Sequence, residues 1–245
     1  MKTPEPHYER YVALGDSQTE GVGDPDETGE PRGFADRLAT QLARHNPDLG
    51  YANLAVRGRR AHQVRAEQLA PALELRPDLA TVVAGMNDLL RPGFDADEVA
   101  AEIAQMFAAL TDQGAHVLTP TFPDLARMAP PARPLMPRVE ALNSRIRQAA
   151  RLHGVTVVET GDHPVVTDPR LWCADRLHAG PVGHQRIADA LAQALKLPDS
   201  DDSWTHPLLP VCAPPTGWRA VAVEVRWAVT FGGRGGLLQD LAVEP

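Results

Sequence analysis

The sequence predicts an α/β fold built on a five-stranded parallel sheet. Short apolar runs alternate with longer amphipathic segments five times along the chain, and the runs are apolar throughout rather than at every second residue. Alternating strand and helix is the pattern of a parallel sheet with helices on both faces, and strands covered on both sides read as unbroken apolar runs. In addition, Gly, Ser, Asn, Asp and His recur just after the runs. In open sheets of this kind, ligands bind outside the carboxyl ends of the strands.

Each element has its own signal. Residues 11–15 (YVALG) form the first strand, and residues 33–45 form a helix with Phe34, Leu38 and Leu42 on one face. Residues 51–56 (YANLAV) are the second strand, 62–73 a helix, and 79–84 (LATVVA) the third strand. Residues 96–110 place Val99, Ile103, Met106, Phe107 and Leu110 on one helical face. Residues 116–119 are the fourth strand, and residues 137–153 carry Val139, Leu142, Ile146 and Ala149 at helical spacing. Residues 155–159 (VTVVE) are the fifth strand, and 181–195 a closing helix with Pro181 suited to its first turn.

Two segments fall outside this rhythm. Residues 121–137 are a long Pro-rich connection, a binding element or lid on one reading and a plain surface loop on the other. The expected domain spans residues 1–197, followed by a Pro- and Asp-rich linker and a C-terminal extension, 198–245, docked on it. Within the extension, Val221, Val223, Val225 and Trp227 alternate as in a strand, while Trp218, Val221, Val225 and Val229 fit a helix face; a helix is the expectation, and GGRGG at 232–236 ends any regular element.

A chain of 245 residues suits one large domain with a tail and buries a substantial core. A net charge of −8 gives no general pull toward nucleic acid or anionic lipid. Two cysteines, Cys173 and Cys212, make no disulfide framework, and the nine histidines show no metal-ligand spacing, so no metal is expected. The first ten residues are polar and no apolar run approaches the ~18 residues of a membrane span. The expected location is the cytoplasm.

The strand ends bring together the parts of an acyl-transfer site. Ser17 follows the first strand, Gly58 the second, Asn87 the third, and Asp175 with His178 opens the last helix. A serine hydroxyl needs a base within reach, which His178 supplies, and Asp175 three residues earlier can fix the imidazole tautomer. The backbone N–H groups of Ser17 and Gly58 and the Asn87 amide can face a developing oxyanion. Gln18, Arg57 and Arg59 adjoin these positions and are candidate substrate contacts; the arginines, with Arg60, are a solvated face on one reading and contacts for an anionic group on the other.

These blocks, GDSQTEG, the Gly58 turn, GMND and DRLH, resemble the successive motifs of the SGNH hydrolases, the GDSL-type lipases and esterases. The resemblance covers residues 11–196 and implies a flavodoxin-like three-layer α/β/α sandwich, no cofactor, and hydrolysis of an ester or amide. It maps the nucleophile onto Ser17, the oxyanion hole onto Gly58 and Asn87, and the remaining pair onto Asp175 and His178. The sequence departs from the pattern in two places. Gln18 stands where leucine is frequent, and Ala179-Gly180-Pro181 follows the histidine where proline often comes directly.

Other readings compete. Ser17-Gln18-Thr19-Glu20 matches a capping box, which would make Ser17 a helix cap. His184 is the rival base, while His62, His116 and His153 read as structural, and Asp16 and Asp88 as loop supports. The same site would serve an acyltransferase. A non-catalytic flavodoxin-like module is the third reading, although neither G-x-x-x-x-G-K-[ST] nor G-x-G-x-x-G is present, and no G-x-S-x-G elbow either. The expected substrate is a small-molecule acyl ester.

Overall fold

The computed structural model describes residues 7–210. The elements expected beyond residue 210, including the helix at 218–229, lie outside the described residues, as does Cys212.

Five parallel strands, β1 (Arg10–Gly15), β2 (Gly50–Asn53), β3 (Leu79–Val83), β4 (His116–Pro120) and β5 (Thr156–Val158), lie in the order β2-β1-β3-β4-β5. In chain order the helices are α1 (Ser17–Glu20), α2 (Phe34–Ala43), α3 (Ala61–Glu74), α4 (Met86–Leu89), α5 (Ala96–Asp112), α6 (Leu125–Met128), α7 (Met136–His153) and α8 (Pro181–Ala194). Helix α2 packs with α8, and α5 packs with both α3 and α7, so the two groups cover the two faces of the sheet. This is the three-layer α/β/α arrangement the sequence predicts.

The apolar runs explain which strands are central. Tyr11 to Leu14 of β1 and all of β3 are buried, and Tyr11 places its hydroxyl 2.9 Å from Thr81 Oγ1, so the two buried hydroxyls satisfy each other. The strand order reverses beside β1: the chain goes first to β2 on one side, then to β3 on the other. That reversal opens a crevice at the carboxyl ends. Ser17, Gly58 and Asn87 follow the three strands around it.

The structure differs from the sequence expectation at the edges. Strand β2 ends at Asn53; beyond it only Leu54 N and Val56 N still bond to Ala13 and Gly15 carbonyls, at 2.9 and 3.3 Å, as the chain leaves the sheet. Strand β5 is three residues long. The long connection at 121–137 is not structureless. Asp124 caps α6 by accepting from Ala126 N and Arg127 N, and Pro130–Leu135 forms a 3-10 turn that runs into α7. The fixed φ of proline suits that tight turn. Helices α1 and α4 are four residues each, too short for a periodic signal.

Candidate active site

Ser17 stands at the first position of α1, immediately after β1. The helix cap is Asp16, whose carboxylate accepts from Gln18 N at 3.3 Å. Ser17 is therefore not the cap that its S-x-x-E pattern suggested, and its hydroxyl is free to bond elsewhere. The turn is tight. A Cβ on Gly15 would lie 2.2 Å from Thr19 Oγ1 and 2.6 Å from Val83 O, so only glycine lets the helix fold back on the strand end.

His178 comes from a segment 161 positions further along the chain. Its Nε2 is 3.0 Å from Ser17 Oγ and its Nδ1 is 2.8 Å from Asp175 Oδ2. Asp175 Oδ1 accepts from Leu177 N and His178 N at 2.9 and 3.0 Å. Burial would raise the Asp175 carboxyl, but the bonds from His178 and Leu177 outweigh it and hold the group below its ordinary range. An ionised Asp175 can only accept, so Nδ1 carries the imidazole proton and Nε2 is left to accept from the serine hydroxyl. Arg176, between them, adopts a left-handed backbone with φ of 58° and donates to Met128 O at 3.2 Å, tying the loop to α6. Non-glycine residues in that region are uncommon and concentrate where the surroundings demand them.

Gly58 has φ of 78°, the left-handed region that favours glycine. The turn before it is pinned to α1: Glu20 accepts from Arg57 N at 2.7 Å and pairs with the Arg57 guanidinium at 2.8 Å. Arg59 pairs with Glu67 at 2.7 Å. Both arginines expected at the substrate are thus engaged with carboxylates of the protein itself. Asn87 is buried, and its Nδ2 donates to Asp16 Oδ2 at 3.0 Å and to Arg59 O at 2.9 Å. Burial pushes the Asp16 carboxyl up to about 7, against the lowering effect of its bond from Gln18 N. Asp88 accepts from Ala61 N at 2.9 Å, which fixes α4 to the start of α3.

Some contributors carry no sequence signal. Gln68 of α3, buried at 2 % exposure, accepts from Gly15 N at 2.8 Å and donates to Gly15 O at 2.9 Å. It holds the last peptide of β1, where Ser17 begins. Only a polar residue on the buried face of α3 could have pointed to it. His184, the rival base, is fully buried; Phe34 N donates to its Nδ1 at 3.1 Å, and burial lowers its pKa to about 4. It is a neutral packing histidine, remote from general-base work. His116 bridges the Tyr8 and Thr156 hydroxyls.

A mostly apolar cavity of about 80 Å³ is lined by the chain neighbours of Ser17 and His178 (Gln18, Leu177 and Ala179), though not by those two residues themselves. Met86, Phe122, Leu125, Val166, Trp172 and Leu177 line it, and Gln18 and Ala179 complete the wall nearest Ser17 and His178. Phe122 and Leu125 come from the Pro-rich connection, so that segment is a wall of the cavity. Among the described residues, no group of three or more His, Cys, Asp and Glu side chains is placed to hold a metal ion, and no helix is long and apolar enough to cross a membrane.

Comparison with known proteins agrees with the architecture. The model of the GDSL-like lipase/acylhydrolase family matches residues 13–186. No curated protein matches the sequence. Among solved structures, the chain resembles TesA at 22 % identity, covering 77 % of this chain and 98 % of that one, with a TM-score of 0.65. It resembles LAE5, an alpha/beta hydrolase enzyme from the metagenome of Lake Arreo, at 20 % identity, with coverages of 77 % and 95 % and a TM-score of 0.63. It also resembles Axe2, an acetylxylan esterase from Geobacillus stearothermophilus, at 16 % identity, with coverages of 82 % and 100 % and a TM-score of 0.64.

Proposed function

The chain belongs to the GDSL-like lipase/acylhydrolase family, and on that premise we propose that it is a serine esterase working through Ser17, His178 and Asp175. The observation that carries this reading is the continuous hydrogen-bond chain Ser17 Oγ to His178 Nε2 at 3.0 Å and His178 Nδ1 to Asp175 Oδ2 at 2.8 Å.

The chemistry runs in two steps. Ser17 Oγ attacks the acyl carbonyl as its proton passes to His178 Nε2, and the ionised Asp175 stabilises the imidazolium. The tetrahedral oxyanion is met by the backbone N–H groups of Ser17 and Gly58 and by the Asn87 amide. Collapse breaks the bond to the alcohol oxygen, which leaves with the proton from His178, and the acyl group stays on Ser17. Water, deprotonated by His178, then releases the acid and restores the serine. The apolar cavity bordered by Gln18 and Ala179 is the place we assign to the substrate's acyl chain, because its lining gives a polar group few partners.

The test is Ser17→Ala assayed on p-nitrophenyl esters from acetate to octanoate, beside labelling of the unaltered protein by a fluorophosphonate. The expected result is labelling at Ser17 and a loss in the variant on the order of 10⁴-fold or more. A variant that keeps full turnover rules the reading out. A profile in which acetate exceeds every longer ester removes the assignment of the cavity alone.

A further inference from the structure

Gln18, next in the chain to Ser17, spends both ends of its carboxamide on the loop that carries His178. Nε2 donates to Leu177 O at 2.7 Å, and Oε1 accepts from Ala179 N at 3.3 Å. These two backbone groups flank His178 on either side. Only this orientation of the amide satisfies both contacts, since Leu177 offers an acceptor and Ala179 a donor. We propose that Gln18 is a positioning residue: it straps α1 to the histidine loop and sets the Ser17–His178 separation. The proposal rests on the serine esterase reading above.

Within the loop, hydrogen bonds orient His178 toward Asp175, and Cys173 Sγ reaches the Gly23 carbonyl on the turn beyond α1 at 3.7 Å. Asp175 Oδ1 accepts from Leu177 N and His178 N, Cys173 N donates to His178 O at 2.8 Å, and Trp172 bridges Ala179. These bonds fix His178 against Asp175, but none of them refers to Ser17. The serine arrives on α1, 161 residues earlier, and its bond to His178 must be made and broken in every turnover. A single hydrogen bond that carries a moving proton is a poor spacer. The Gln18 strap supplies two further bonds between the same two pieces of chain, one residue away on each side, and these do not change during the reaction. An error of about 1 Å at a reacting pair costs on the order of 100-fold.

The identity of residue 18 matters. Leucine, frequent at this position in the family this chain resembles, has nearly the size of glutamine but no polar atom. The strap is thus a feature of this sequence, and one donor and one acceptor site of the carboxamide are committed to it at the edge of the cavity. That assigns Gln18 a role other than the substrate contact its place in the sequence suggests.

The experiment compares Gln18→Leu, Gln18→Met and Gln18→Glu with the unaltered protein, each with its thermal melt. The readouts are kcat and KM on two p-nitrophenyl esters and the rate of Ser17 capture by a small fluorophosphonate. Leucine and methionine keep the bulk and lose both bonds, so kcat and the capture rate should fall about 10- to 100-fold. KM and the ratio between the two esters should stay within about twofold. Glutamate adds a signature that mere packing would not give. Its neutral carboxyl has the donor and acceptor of the amide, while its ionised form has no donor for Leu177 O. The rate of Gln18→Glu relative to the unaltered protein should therefore rise as the assay is moved from neutral to mildly acidic pH. Rates within about twofold for the leucine and methionine variants, or losses confined to KM and ester preference, overturn the strap, as does a pH-independent ratio for the glutamate variant. An unaltered protein whose Ser17 is never captured removes the esterase reading and the strap together. Normal capture with insensitive Gln18 variants removes the strap alone.

Discussion

The Asn87 amide donates to the carboxylate of Asp16 at 3.0 Å, so the residue after β3 is held by the residue before Ser17. It also donates to Arg59 O at 2.9 Å, on the turn that carries Gly58. One buried side chain therefore joins the ends of all three strands around the crevice. To meet an oxyanion it must share or exchange one of these bonds.

Asn87→Ala should lose two things at once. The missing donor lowers kcat by about 10²- to 10³-fold. The orphaned Asp16 oxygen and Arg59 carbonyl also cost about 1–3 kcal/mol of stability. Parallel kcat and denaturant-melt measurements check this, and a variant that loses activity with no change in stability contradicts the structural half.

Asp16 should leave a mark on the pH dependence of stability. Its folded-state pKa is raised to about 7 from an ordinary 3.8. Its contribution to stability is then full below pH 3.8 and is lost as pH rises through 7, at up to about 1.4 kcal/mol per pH unit. Asp16→Asn cannot ionise, so the variant should gain relative to the unaltered protein across that window. The slope of the difference, measured by urea melts at several pH values, is the readout. A flat difference means the carboxyl is not held neutral.

Asp175→Asn should separate chemistry from folding. The remaining oxygen can still accept from Leu177 N and His178 N, so the loop keeps its shape. The amide nitrogen then faces His178 Nδ1 and imposes the wrong tautomer, which costs kcat about 10⁴-fold. The thermal midpoint should move by no more than a few degrees. A variant with normal kcat would mean that Asp175 does not orient the imidazole.

Gly183→Ala should unseat α8. An added Cβ would sit 2.1 Å from Leu171 O, a backbone atom with no easy retreat. Overpacking of this kind costs about 1–3 kcal/mol. Because Leu171 leads into the segment that carries Asp175 and His178, a fall in kcat should accompany the fall in stability, read by melts and esterase assays together.

Much of this arrangement was legible in the sequence, for identifiable reasons. Strands β1 and β3 are buried on both faces, so they read as unbroken apolar runs. Residues just beyond parallel strands gather at one edge by topology, which is why Ser17, Gly58 and Asn87 could be grouped from the sequence. The missing parts are those that depend on contact between distant segments. Asp16 and Ser17 are both good caps, and only the backbone decides; Asp16 takes φ of −114° while Ser17 is already helical. Gln68 looks like any polar helix residue until its two bonds to Gly15 are seen. Arg57 finds Glu20 at a separation of 37 residues, where no periodicity reports a partner.

The separation of 161 positions between Ser17 and His178 also bears on how the protein comes into being. A growing chain can pair β1, β2 and β3 and form the crevice long before residue 178 leaves the ribosome. Under the proposed mechanism, Ser17 has no base until the segment before α8 is in place. On the serine esterase reading proposed above, activity would be switched on only by completion of the fold, and truncated products that keep every early strand are expected to be inert toward p-nitrophenyl esters.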